Sequence, residues 1–257
     1  RIARNTQSLL VEETHLARVI DPAGGSWYVE ALTDRLAAAG WAFFQELEGA
    51  GGAVAALDSG LLSQRVGAVR ERRERDVATR RTPITGVSEF ADLAEKPVER
   101  DPRPTPAGGG LPAYRAAQAF EERRDRSDAV LAATGERPRA FLATLGPLAA
   151  YAVRAGFARN LLNAGGIDVV EAGPTTTADE VVAGFVEAGG PVAVLCGTDE
   201  LYPERAAETV AALRDSGAGY VLLAGSADVP GLDGHLRAGG DALAVIDAVY
   251  AALEERP

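Results

Sequence analysis

From residue 137 onward the sequence predicts an α/β fold of the doubly wound, parallel kind. Three observations predict it. Extended apolar runs occur at 140–145, 167–171, 191–196 and 220–224, with a weaker last one near Leu236. Helical patterns at 147–164, 178–188, 203–215 and 241–254, with a short one near 231, fall between and after them. Parallel strands need crossover connections of this kind, because a tight turn returns a strand antiparallel. Third, the change of texture follows a Pro- and Gly-rich stretch, "VERDPRPTPAGGGLP" at 98–112, which has the composition of a linker. Residues 137–257 therefore form one complete domain of about 120 residues, a common domain size.

The first half divides less cleanly. Residues 1–20 suit a helix or a helix-to-strand passage, with Leu9, Leu10, Leu16, Val19 and Ile20 as the apolar set. In "DPAGGSWYVE", Pro22 and the Gly24-Gly25 pair force a turn, and Trp27, Tyr28 and Val29 suit a short extended segment. Thr33 is the expected N-cap of a helix carrying Leu36, Gly40, Phe43 or Phe44, and Leu47 at helical spacing, stopped by the glycines at 49–52. The stretch 60–81 reads as a helix with a thin apolar stripe (Leu62, Val66, Val69) that turns wholly charged, a solvated face supported by pairs three and four apart. "PITGVSEFADL" has turn residues and scattered anchors, and a connecting helix at about 112–133 carries Tyr114, Ala117, Phe120 and Val130. Residues 51–136 together are thus a helical and Pro/Gly-rich linker.

Composition narrows the function. A net charge of -11 over 257 residues opposes nucleic acid or an anionic membrane as partner, since both repel an acidic surface. One cysteine, Cys196, excludes an internal disulfide framework. Without a signal-like or 18-residue apolar stretch the expected location is cytoplasmic. There are 25 Arg, one Lys (Lys96) and no Met, so the chain is expected to be the C-terminal part of a longer product.

An open parallel sheet holds ligands outside the carboxyl ends of its strands, where strand order reverses. With the order 2-1-3-4-5, the relevant loops are "LGPL" after the first strand and "CGTDEL" after the third. The first contains no Asp, His, Lys, Ser or Thr; Pro147 suits a first helical turn, and Ala150, Val153, Phe157 and Leu161 give that helix a packing stripe. In the second, Asp199 has the chemistry to hold Mg²⁺ or a sugar hydroxyl, while Thr198 or Asp199 equally suits the cap of the helix that Pro203 helps to start. No Gly-rich phosphate fingerprint follows any strand; "NAGG" and "RAGG" are helix-end punctuation. His15 and His235 have no second ligand at metal spacing, so no metal site is assigned. Cys196 ends a buried strand with no histidine near it in sequence, which suits packing better than nucleophilic attack.

Three stretches together resemble the methylmalonyl-CoA mutase family: "RIARNTQSLLVEETHLARVIDPAGGSWYVEALTDRLAAAGWAFFQELE" at 1–48, "RRTPITGVSEFADL" at 80–93, and the terminal domain with "AGGDALAVI" at 238–246. The resemblance implies that residues 1–50 are the closing part of a TIM (β/α)8 barrel that binds acyl-CoA. It implies that residues 137–257 are a flavodoxin-like domain of the kind that holds adenosylcobalamin. Asn5, Gln7 and Glu13 are then the barrel-side candidates for cofactor contacts, and "DPAGGSW" the last barrel turn.

That family's cobalamin domain carries Asp-x-His-x-x-Gly after its first strand, the His serving as lower axial base of cobalt and the Asp orienting it. Here the strand runs into Gly146-Pro147-Leu148-Ala149-Ala150-Tyr151, which offers cobalt no imidazole. The departure resembles the branch in which a catalytic large subunit pairs with a homologous small subunit that has lost cofactor ligation. The assembled enzyme would interconvert methylmalonyl-CoA and succinyl-CoA with adenosylcobalamin held by the large subunit. This chain would supply no catalytic residue, and Tyr151, Phe157 and Tyr202 would fill the space of a nucleotide tail. Two alternatives stay open at this point. One is a cobalamin-dependent mutase of another short acyl-CoA with unusual ligation. The other is a flavodoxin-like module for a flavin or nucleotide, against which stands the lack of phosphate-holding Ser, Thr and Gly clusters.

Overall fold

A computed structural model describes residues 1–96, 101 and 113–254. The expected linker at 98–112 lies, Asp101 apart, outside the described residues. The chain divides into two compact units, Arg1–Gly67 and Ala68–Pro257.

The regular elements of the first unit are all helical. It holds α1 (Ile2–Glu12), a 3-10 turn (Leu16–Arg18), α2 (Trp27–Gly49) and α3 (Ala53–Asp58), and the boundary falls within α4 (Leu61–Ala78). Two local expectations are corrected. Trp27, Tyr28 and Val29 are not extended but form the first turn of α2. Thr33 therefore lies inside that helix, where its hydroxyl donates to the Val29 carbonyl at 2.8 Å. The helix starts earlier because Gly25, at φ 79°, completes the turn and gives its N–H to Glu30 Oε1 at 3.0 Å, which ties the turn to the first helical residues. The glycine stop is where expected, with Gly51 and Gly52 at φ 95° and 91°, conformations that a Cβ disfavours. No residue of α1 or α2 is buried, and Ile20 is 98% and Trp27 83% exposed.

The second unit contains the predicted α/β domain and extends back to Ala68, into the stretch expected to be a linker. Its elements are α5 (Gln118–Thr134), β1 (Arg139–Thr144), α6 (Leu148–Ala164), β2 (Asp168–Glu171), α7 (Ala178–Ala188), β3 (Val192–Cys196), α8 (Ala207–Asp215), β4 (Tyr220–Ala224), β5 (Gly234–Leu236) and α9 (Ala242–Glu254). The five strands are all parallel in the order β2-β1-β3-β4-β5. Alternation along each strand feeds two cores, because successive side chains point to opposite faces. Leu142, Val194 and Leu222 join α6 and α9 residues on one face, and Phe141, Leu195 and Leu223 join Phe185, Val210 and Leu213 on the other. Each such fully buried side chain contributes about 1.5–3 kcal/mol.

Three further corrections concern this unit. The short helix expected near 231 is a turn that leads directly into β5. The connecting helix begins at Gln118, so Tyr114 and Ala117 precede it. Residues 82–96, read as scattered anchors, are strapped to the domain: Arg124 donates to the Gly86 carbonyl at 2.8 Å, Arg137 to that of Leu93 at 3.2 Å, and Asn160 Oδ1 accepts the Phe90 N–H at 2.6 Å. Phe120 and Ser127 of α5 are buried, so this helix belongs physically to the α/β core. No described helix is long and apolar enough to cross a membrane.

Candidate functional site

The strand order places the reversal between β1 and β3, so the carboxyl ends of these strands are the candidate site. The loop after β1 is tied down by backbone alone. Leu145 N–H reaches the Cys196 carbonyl at 2.8 Å, and Gly146 exchanges N–H and C=O with Thr175 at 3.1 and 3.2 Å. Thr175 is itself buried, its hydroxyl donating to the Thr144 carbonyl at 2.6 Å. Gly146 sits at φ 86°, and a Cβ there would lie 3.0 Å from Leu201 Cδ1, so the loop after β3 closes onto the loop after β1. With Pro147 as its N-cap, α6 starts at once. No carboxylate, imidazole or hydroxyl stands between Gly146 and Ala150.

Tyr202 seals the neighbouring gap. It lies in a single π-helical turn (Tyr202–Ala206) ahead of α8 and is 1% exposed. Its hydroxyl accepts the Gly197 N–H at 3.0 Å and donates to the Ala224 carbonyl at 2.7 Å, stitching the ends of β3 and β4 together. Burial holds this phenol above its ordinary pKa, so it stays protonated and able to donate. Arg154 comes across from α6: Nη1 donates to the same Ala224 carbonyl at 2.9 Å, Nη2 meets Asp199 Oδ1 at 2.8 Å, and the guanidinium centre lies 5.1 Å from the Tyr202 ring centroid. Burial depresses its pKa, but the hydrogen bonds to Tyr202 and Asp199 outweigh burial and leave it raised. Gly225 makes that approach possible: at φ 143° a Cβ would sit 2.2 Å from Arg154 Nη1.

The residues named from sequence are spread over both units. Asn5 and Gln7 are exposed on α1, two positions apart, a spacing that does not share a helix face; Glu13 is exposed at its C-cap. They are thus not assembled into one cluster. Tyr151 and Tyr202 are buried and Phe157 is half-buried. Asp199 does not cap a helix; it faces Arg154, and Thr198 holds the turn, its hydroxyl accepting the Leu201 N–H at 3.4 Å. His15 is exposed, while His235 Nε2 lies 3.0 Å from the Ala227 carbonyl. Burial pushes the Cys196 thiol far up, which keeps it neutral and unreactive. Among the described residues no three His, Cys, Asp or Glu side chains are grouped to hold a metal ion. Sequence reasoning missed Arg154, although it is the lone charge in "LAAYAVRAGFA" and so marked a polar partner at the sheet edge.

The cofactor implied by the resemblance needs a lower ligand to cobalt, and this loop does not fit one. Leu148 opens α6 with its side chain exposed, both histidines lie elsewhere in the chain, and the nearest polar side chains are consumed by Tyr202, Arg154 and Asp199 holding one another.

Comparison with known proteins completes the site. The profile of the methylmalonyl-CoA mutase family matches residues 1–157. The methylmalonyl-CoA mutase small subunit of Streptomyces virginiae is 53% identical over 246 residues, covering 96% of this chain and 40% of that protein. The small subunit of Propionibacterium freudenreichii subsp. shermanii is 40% identical over 227 residues, 88% of this chain and 35% of that protein. A protein named methylmalonyl-CoA mutase from Cereibacter sphaeroides is 42% identical over 99 residues, 38% of this chain and 14% of that protein. The chain thus spans about two fifths or less of the length of these relatives.

Proposed function

The chain belongs to the methylmalonyl-CoA mutase family, and on that premise we propose that it is the C-terminal portion of a non-catalytic small subunit. It would serve an enzyme that interconverts methylmalonyl-CoA and succinyl-CoA. The observation that carries this reading is the loop after β1, tied to Thr175 and Leu201 without a single side-chain ligand. The extent of similarity supports the same branch. Relatives named small subunit align along 80–96% of the chain, whereas two named simply mutase align along 38%.

In this reading residues 1–50 close a barrel whose body lies in the longer protein, residues 51–136 connect, with 82–96 and α5 packed on the domain that follows, and residues 137–257 keep the cofactor fold as a structural partner. The exposed apolar side chains of α2, including Trp27 and Trp41, supply surface for such packing. Asn5, Gln7 and Glu13 stand as barrel-side contacts, and no catalytic residue is assigned. Adenosylcobalamin and acyl-CoA belong to the assembled enzyme, and no chemical step is routed through this chain. Its partner is a homologous large subunit, with neither nucleic acid nor membrane involved, and its location the cytoplasm.

Titration of the protein with adenosylcobalamin, followed in the visible spectrum, tests the reading. The expected result is no tight complex; a histidine-ligated cobalt spectrum overturns it. Co-expression of the full-length protein with a homologous large mutase chain is expected to give a stable complex on gel filtration, and separate elution of the two counts against the proposed partnership.

A further inference from the structure

Beside the sealed gap the carboxyl edge keeps an open cleft of about 420 Å³ between α6 and the ends of β4 and β5. Its volume is that of a small-molecule site. Val153, Phe157 and Leu236 form an apolar wall, and Arg154, Arg237 and Ser226 supply the polar groups. The two cations differ in how they are held. Arg154 is anchored from behind by the Ala224 carbonyl and by the Tyr202 ring, so its side chain keeps one orientation with Nη2 turned outward. Arg237 is exposed at the mouth and enters none of the ion pairs among the described residues.

The group on Arg154 Nη2 is the carboxylate of Asp199, also part of the cleft lining, whose side chain is 70% exposed. A carboxylate that is mostly in water has a high dielectric around it and gains little from its pair. It is therefore readily displaced by a second carboxylate that brings apolar surface to Phe157 and Val153. Asp199 occupies the position of a ligand's acid group without the body that would fill the cleft.

We propose that this cleft binds a small organic carboxylate with an aromatic or branched apolar body, its acid group replacing Asp199 on Arg154 and neutralising Arg237. The inference stands independently of the subunit assignment, since it uses only side chains of this domain.

The probe is 3-phenylpropionate, with its uncharged amide and inorganic phosphate as comparisons, followed by NMR on protein carrying labelled Val and Leu methyls. Saturable shifts at Val153 and Leu236 are expected for the carboxylate, with binding of the amide roughly tenfold weaker, the scale of one charge-assisted hydrogen bond. Asp199→Ala should tighten carboxylate binding severalfold by removing the internal competitor, and Arg237→Gln should weaken it severalfold. Both positions are exposed, so neither change endangers the fold; Arg154 is left intact because it also supports Tyr202. The proposal is overturned by unsaturable or absent shifts up to solubility, by equal binding of the amide, by Asp199→Ala leaving affinity unchanged or lower, or by phosphate matching the carboxylate.

Discussion

Replacing Tyr202 with Phe removes one oxygen and leaves the ring. That oxygen is the partner of two buried backbone groups, the Gly197 N–H at 3.0 Å and the Ala224 carbonyl at 2.7 Å. A buried polar group stripped of its partner costs about 1–3 kcal/mol. Ala224 keeps Arg154 as a donor at 2.9 Å, so most of the loss falls on Gly197. A total of about 2 kcal/mol follows, equivalent to a roughly thirtyfold rise in the local opening equilibrium. Hydrogen exchange of peptides covering 192–206 and 220–225, read by mass spectrometry, measures it directly. A rise below about threefold in exchange at these peptides would show that the hydroxyl bonds are not what closes the gap.

Gly225→Ala should displace the Arg154 guanidinium through the 2.2 Å clash, and its cost should be strongly non-additive with that of Arg154→Ala in a double-mutant cycle on urea unfolding. At the start of α7, Thr177 and Glu180 form a capping box, and the N–H of Thr176 bonded to Glu180 holds that carboxyl below its ordinary 4.5. A lowered folded pKa gives a contribution present above the unfolded value and lost as pH falls through the folded one. Exchange protection of the first α7 amides should accordingly decline on acidification below about pH 4.5, and Glu180→Gln should erase that pH dependence. Cys196, buried and held as a neutral thiol, should resist iodoacetamide at pH 8 in the native protein and react fully in urea, as measured by mass.

The α/β half was legible because its signals are local and repeated. Apolar runs at β1 to β4 and Gly or Pro punctuation between helices specify strands and crossovers with little competition. The β1 loop was legible by what it lacks. The misreadings came where tertiary partners override local preference. Trp27-Tyr28-Val29 has strong strand propensity, yet it continues a turn closed by Gly25 and Glu30 and becomes helix. Arg154, Tyr202 and Gly225 are 71 positions apart from first to last, and a spacing of that length leaves no periodic trace. Asp199 carried the right chemical type for a ligand or a cap, but its partner sits on another element and sequence order does not pair them.

Gly225 has a consequence for the history open to such a protein. It admits Arg154, Arg154 supports Tyr202, and Tyr202 satisfies the strand ends on which the loop after β3 rests. Each residue is now sound only in the presence of the others. Replacing any one of the three alone strips partners from the others and passes through a less stable protein. Change at this corner of the sheet is therefore concerted: the three positions are exchanged as a set or kept.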